Sequence, residues 1–261
     1  MKWFIPAVFL VNLLTPSPVQ AGEPDPSLDA LVAKGGDALL EEADKRHNPF
    51  EDQTITVRMT LLGGGNDGNQ YTFQTITKGD NLRAISFEEP ADMKGMGVVI
   101  KGRDDIYVKL PDMRKVRRVG AHAKRQSFQS SDWNFDEMSM IRLGKDFSAR
   151  ILADETTGAY IFLECTRRDG VDLQYPKLKL RIDKAYILID RIEYYDDGGE
   201  MVKLQERFEP KKLGGEHLIY TRVTMTDVAA KHTTQNEVLD EAVDQEVPDS
   251  TFSRRWLLRG I

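Results

Sequence analysis

The sequence predicts a mainly β protein, built as one large, strongly curved antiparallel sheet of about eleven strands behind a short N-terminal helix. Three observations predict it. From residue 52 onward, apolar and polar residues alternate with period two in a series of short runs. Turn signals such as Gly79-Asp80, Thr157-Gly158, Asp169-Gly170 and Asp196-Asp197-Gly198-Gly199 separate those runs at short intervals. Strands do not alternate with helical patterns, which excludes the doubly wound α/β folds.

Taken in order, the first segment reads MKWFIPAVFLVNLLTPSPVQA. Lys2 supplies a positive start, an apolar stretch runs from Trp3 to Leu14, and Val19 and Ala21 are small residues placed for cleavage. An apolar run of about 12 residues is shorter than the roughly 20 a spanning helix needs, so residues 1–21 read as a secretory signal peptide, with an uncleaved anchor as the alternative. Residues 22–261 then form a single domain. Leu28, Leu31, Val32, Leu39 and Leu40 have helical spacing through about His47, with Ser27 as a possible cap. Gly35-Gly36 weakens that helix and Asn48-Pro49 ends it.

In DQTITVRMTL, Ile55, Val57, Met59 and Leu61 alternate with Thr54, Thr56, Arg58 and Thr60, the mark of a half-buried strand. GGGNDGN is a hairpin turn, and Tyr71, Phe73, Thr75 and Thr77 share one side of the returning strand. Further strands are NLRAISFEEP, GVVIKG, DIYVKLP, KVRRVG, SARILAD, AYIFLECTRR, LKLRID, YILIDRIEYYD, MVKLQERFEP and HLIYTRVTMTDV. Between Gly120 and Leu143 the alternation stops, and this segment reads as a short helix or loop suited to a lid or plug. The remainder, from Gln235, ends in an apolar element with Phe252, Trp256, Leu257 and Leu258.

Composition narrows the function. The chain of 261 residues is 40% hydrophobic and 30% charged, too apolar for a disordered protein. Its net charge is −6, and removal of residues 1–21 takes away Lys2 and no acid, leaving −7. That charge disfavours non-specific binding to nucleic acid, and any membrane contact is expected to be peripheral or transient. The single cysteine, Cys165, excludes an internal disulfide or a cysteine-built metal site and reads as a core residue.

Catalytic motifs fail one by one. GGGNDG (Gly63–Gly68) has G-x-G-x-x-G spacing, but a strand follows it where a phosphate site needs a helix. Gly97 and Gly102 have P-loop spacing, but Arg103-Asp104 replaces the Lys-Ser/Thr pair. His47, His122, His217 and His232 are dispersed, and acid pairs such as Glu88-Glu89 lie on opposite faces of a strand. The expectation is a non-enzyme with no metal and no cofactor. The charge pattern says more. Arg114, Lys115, Arg117 and Arg118 cluster after Pro111 within an acidic protein. Two readings stand: a solvated edge that blocks sheet-to-sheet aggregation, or a docking surface for an acidic partner or lipid head groups.

The run EEPADMKGMGVVIKGRDDIYVKLPDMRKVRRVG, followed by SFQSSDWNFDEM, resembles the LolA-like family of outer-membrane lipoprotein-sorting proteins. The shared order is an apolar–aromatic strand ending in Leu110-Pro111, a basic run from Arg114 to Arg118, then Ser127-Phe128 and Ser131-Asp132-Trp133. Ser130 stands where the family often has Gly, and Phe135-Asp136-Glu137 departs from its usual Tyr-Glu-Asp, so this loop is altered.

The resemblance implies a half-closed antiparallel β-barrel with a helical lid, residence in the periplasm, and a role as a carrier or chaperone for an acylated lipoprotein or lipid. It also implies an RND/MMPL-type inner-membrane transporter as a partner; the alternative is an accessory module of such a transporter that binds no lipid. In such a barrel the candidate cavity residues are the inward apolar positions Ile55, Val57, Met59, Phe73, Ile106, Val108 and Leu180, with Phe128, Trp133 and Met138 in the lid.

Overall fold

In a computed structural model of the chain, residues 22–111, 113–213 and 217–259 are described. The expected signal peptide at 1–21 lies outside them, as do parts of the Pro111-Asp112 and Gly214-Gly215 turns. Among the described residues, no helix is long and apolar enough to cross a membrane.

The N-terminal helix is two helices, α1 (Leu28–Lys34) and α2 (Gly36–His47), where one was expected. Gly35 takes φ +99°, which breaks the helical path and favours glycine. Gly36 sits so close to the Ala149 carbonyl that a Cβ there would collide with backbone. Ser27 precedes α1, but its hydroxyl binds the Asp25 carboxylate and caps nothing. Arg46 also binds Asp25, and that hydrogen bond holds the Asp25 carboxyl down at about 2.

Thirteen strands follow: β1 (Asp52–Leu62), β2 (Gln70–Lys78), β3 (Leu82–Glu89), β4 (Gly97–Lys101), β5 (Ile106–Lys109), β6 (Arg117–Arg118), β7 (Phe147–Ile151), β8 (Tyr160–Arg167), β9 (Lys177–Asp183), β10 (Leu188–Tyr195), β11 (Met201–Leu213), β12 (His217–Asp227) and β13 (His232–Val243). They form a single antiparallel sheet in the order β6-β5-β4-β3-β2-β1-β13-β12-β11-β10-β9-β8-β7. The expected count of about eleven is therefore corrected to thirteen. The strand that sequence reading missed is β13, HTTQNEVLDEAV, which is polar on both faces over much of its length. It is nevertheless central, paired along β1 on one side and β12 on the other. Between the Thr56–Asp240 and Val57–Val238 pairs, Leu239 is an extra residue that bulges out.

The sheet is not closed, since β6 and β7 are consecutive in the chain yet lie at opposite edges. It is strongly curled. Six inter-strand steps separate β3 from β10, about 29 Å in a flat sheet, yet Ile85 of β3 and Ile192 of β10 line the same cavity.

The two ends of the inner face are filled by different parts of the chain. α2 lies over the β7–β10 half, where Leu39, Leu40 and Ala43 pack with Phe147, Leu163, Cys165, Leu178 and Leu180. The segment 120–146, which connects the two sheet edges and contains α3 (Phe135–Ser139), covers the other half. There Phe128, Phe135 and Met138 pack on Ile85, Phe87, Val98, Ile100 and Ile106. The C-terminal helix α4 (Arg254–Arg259) and the turn before it cover the outer face, where Phe252 and Leu257 pack on Ile76, Ala84 and Val99.

Candidate functional site

Between these two coverings, the middle of the inner face is left unfilled. A cavity of about 270 Å³ lies over β1–β3 and β10–β13. That is near the lower end of small-molecule pockets, roughly 300–1,000 Å³. Its apolar wall follows from strand parity. Ile55, Val57 and Met59 of β1 point the same way, as does Phe73 of β2, the register partner of Val57. Phe128, Trp133 and Met138 of the 120–146 segment close the wall from above. Phe73, Phe87, Phe128 and Phe135 make a continuous aromatic cluster, with successive ring centroids 5.2, 5.9 and 5.3 Å apart.

Of the residues singled out from the sequence, Ile55, Val57, Met59, Phe73, Phe128 and Trp133 are brought together here. Ile106, Val108 and Leu180 are not. Leu180 is fully buried in the core beneath α2, and Ile106 and Val108 pack with the aromatic cluster. Ile106 and Leu180 are fully buried where the chain's own side chains cover the sheet, and Val108 is half-buried against the same cluster, away from the cavity. The basic run lies elsewhere. Arg117 and Arg118 form the edge strand β6, Arg114 and Lys115 precede it, and all four are exposed. Arg118 donates to the Asp104 carbonyl at 2.8 Å.

The polar lining was not foreseen. Arg83 sits on β3 with the same parity as Ile85 and Phe87, a position that usually holds an apolar residue. Its Nη1 donates to the Met138 carbonyl at 2.6 Å, while its Nε is buried without a partner. Arg207 of β11 donates to the Ile189 carbonyl at 3.0 Å and lies 3.3 Å from His47 Nδ1. With the Gln205 amide in the orientation that satisfies both neighbours, its oxygen also accepts from Arg207 Nε and Nη2, at 3.1 and 3.3 Å, and its nitrogen donates to Tyr194. Among the described residues, no carboxylate forms an ion pair with either arginine. Burial lowers the pKa of Arg83 to about 10 and also lowers that of Arg207, and both stay charged at neutral pH. His47 is held neutral by burial and by the Arg207 and Arg83 charges, in that order. The guanidinium proton on its Nδ1 side leaves the imidazole proton on Nε2.

Two carboxylates also face the cavity, and both are occupied. Asp44 accepts from the Leu143 and Gly144 backbone N–H groups at 3.1 and 2.7 Å, and burial raises its pKa to about 6. Glu137 accepts from Lys203 at 2.7 Å, from the Tyr175 hydroxyl, and from the Asn134 backbone N–H at 2.7 Å. Burial pushes its pKa up as well. Among the described residues, no cluster of three or more His, Cys, Asp or Glu could hold a metal ion.

A family model described as an uncharacterized protein matches residues 79–259. No curated protein matches the sequence. Three solved structures share the fold. One is a domain assigned to an outer membrane lipoprotein-sorting protein from Vibrio parahaemolyticus, 20% identical over 86% of this chain and 98% of that one, with TM-score 0.78. Another is a DUF1329 family protein from Desulfovibrio piger, 22% identical over 87% and 98%, with TM-score 0.78. The third is a LolA superfamily protein from Nitrosomonas europaea, 20% identical over 85% and 99%, with TM-score 0.72. A model that spans most of the chain and a fold shared with these structures agree, and the chain belongs to that uncharacterized-protein family and has the fold of the LolA-like lipoprotein-sorting proteins.

Proposed function

We propose that this protein is a periplasmic, non-enzymatic carrier that holds the acyl chain of a lipoprotein or lipid in the central cavity. One observation carries the reading. The curled sheet leaves the middle of its inner face unfilled, and the wall there is built from Ile55, Val57, Phe73 and Trp133. Burial of an acyl chain gains about 0.8 kcal/mol per CH₂, so six buried methylenes contribute about 5 kcal/mol before ordering costs. Transfer then requires only a receiver with higher affinity.

In this reading the 120–146 segment is the lid, with α3 at its centre. It is held by polar contacts to the sheet and to the end of α2, which water can replace, as well as by its aromatic residues. Asp132 accepts from Thr234 and binds His232 on β13, and Asn48 at the tip of α2 donates to the Ile141 carbonyl. The exposed basic edge at Arg114, Lys115, Arg117 and Arg118 is the proposed contact with a membrane transporter of the RND/MMPL type.

The test is displacement of a fluorescent fatty-acyl probe from delipidated protein. Saturable, displaceable binding is expected, and Val57→Trp, which fills the cavity, should abolish it while the protein stays folded by circular dichroism. Absence of displaceable binding to the wild type would overturn the carrier reading.

A further inference from the structure

Two charged guanidinium groups line the inner face of the cavity, and among the described residues no carboxylate hydrogen-bonds or ion-pairs with either; Asp190 and Asp44 act on Arg207 only through space. Every acceptor for Arg207 is neutral: the Ile189 carbonyl, the Gln205 amide and His47. Arg83 has a single carbonyl acceptor and a buried Nε with no acceptor at all. The carboxylates that share the cavity are committed elsewhere, Asp44 to two backbone N–H groups and Glu137 to Lys203 and Tyr175. An unpaired charge in such a site is expensive, and proteins tolerate it mainly where a ligand completes the pair.

The arginines also converge. Both line the same cavity as His47, the last residue of α2, and both charges act on its ring. Beside them, Trp133 Nε1 is a second buried donor without a partner, and Trp133 lines the same cavity. The unpartnered buried groups that line the cavity are therefore two N–H donors, one on the sheet and one on the segment above it, and one amide oxygen, that of Asn236, with no unpaired acid. Ile55, Val57 and Phe73 continue the cavity as an apolar channel suited to a hydrocarbon chain.

We infer that the carrier selects an anionic amphiphile, with the acidic head group, a carboxylate or a phosphate, received by Arg83 and Arg207 and the acyl chain laid along Ile55, Val57 and Phe73. This deepens the carrier reading and rests on it. Guanidinium groups match both acids, because their N–H donors are planar and paired. Arg83 keeps its Nε free for the ligand while Nη1 holds the Met138 carbonyl, so the head group docks at the point where the overlying segment meets the sheet.

The experiment titrates delipidated protein with hexadecanoate, its methyl ester and monohexadecyl phosphate, each by displacement of a fluorescent acyl probe. The two acids should bind about 10- to 100-fold more tightly than the ester, the range expected for charge-assisted hydrogen bonds. The better of the two acids identifies the head group. Arg83→Gln and Arg207→Gln should each bring acid affinity down toward that of the ester and leave the ester unchanged. Equal binding of acid and ester by the wild type overturns the inference and leaves the carrier reading intact. Equal loss of acid and ester in both variants, with the fold intact by circular dichroism, also overturns it, because the arginines would then act only on the wall. If no probe is displaced from the wild type, the carrier reading falls and this inference falls with it.

Discussion

The Lys203 ammonium donates to the fully buried Glu137 carboxylate at 2.7 Å and, from the same nitrogen, to the Asp132 carbonyl at 2.6 Å. One cation on β11 thus holds both the start of α3 and the loop before it. Removing a single partner of a buried ion pair costs about 3–5 kcal/mol, since the remaining charge loses its compensation. Lys203→Met should lower stability by about 3 kcal/mol in urea unfolding at pH 7, and the loss should shrink in acid as Glu137 takes up a proton. Adding Glu137→Gln to Lys203→Met should recover part of the loss. A double variant as unstable as the single one would mean that packing, and not the charge, is responsible.

Asp44 makes stability depend on pH. Its folded pKa is about 6 against an ordinary value of 3.8, so the folded chain binds this proton more tightly than the unfolded one. The resulting stabilisation is full below about pH 4 and is lost as the pH rises to about 6, a difference of about 3 kcal/mol. Asp44→Asn removes the titration. Relative to that variant, the wild type should gain stability on acidification from pH 7 to pH 4. A constant difference between the two across this window, followed by thermal unfolding, would refute the assignment.

Gly36→Ala tests how closely α2 approaches β7. A methyl group would meet the Ala149 carbonyl and the Arg150 nitrogen, which are backbone atoms and have little room to yield. A loss of about 2 kcal/mol is expected in chemical unfolding, and Gly35→Ala should also destabilise, through its positive φ. No change in the midpoint for Gly36→Ala would show that α2 can shift freely on the sheet.

Charge reversal at Arg114, Lys115, Arg117 and Arg118 separates docking from edge protection. The four side chains are exposed and remote from the cavity, so acyl-probe binding and the unfolding midpoint should be unchanged. Co-precipitation of an inner-membrane transporter should be lost. If co-precipitation persists, the run acts only as a guard on the β6 edge.

Cys165 should be inert. It is fully buried on β8, and desolvation pushes its thiol well above the ordinary range. A thiol reagent such as Ellman's should react only after denaturant is added. Rapid labelling of the native protein would show that the core beneath α2 opens.

Most of the sheet was legible because strand alternation is a local signal, and β1 shows it plainly: Ile55, Val57 and Met59 share one face. β13 was illegible for a physical reason. Thr233, Thr234, Gln235, Asn236 and Glu237 carry no apolar alternation, and the strand is specified by the backbone groups of β1 and β12 on either side. The cavity was half legible. Parity placed Ile55 and Phe73 on the inner face, but whether α2 or the 120–146 segment covers a given position depends on tertiary packing, and that is what removed Leu180 and Ile106. Arg83 did leave a trace in the sequence, because in LRAISFEE it shares parity with Ile85 and Phe87 and interrupts an apolar face.

The neighbouring positions of β1 and β13 govern how the molecule comes together. Every other pairing joins strands adjacent in the chain, while Gln53 must find Val243. Two meanders can form early from local hairpins, but the seam between them waits for the last strand, and loop-closure entropy makes that step slow. A chain still being synthesised would present β1 and β12 as bare edges. A circular permutant opened near Gly120, with a linker joining the described ends, would place all thirteen strands in sequential order. It should refold faster in stopped-flow measurements than the native connectivity does.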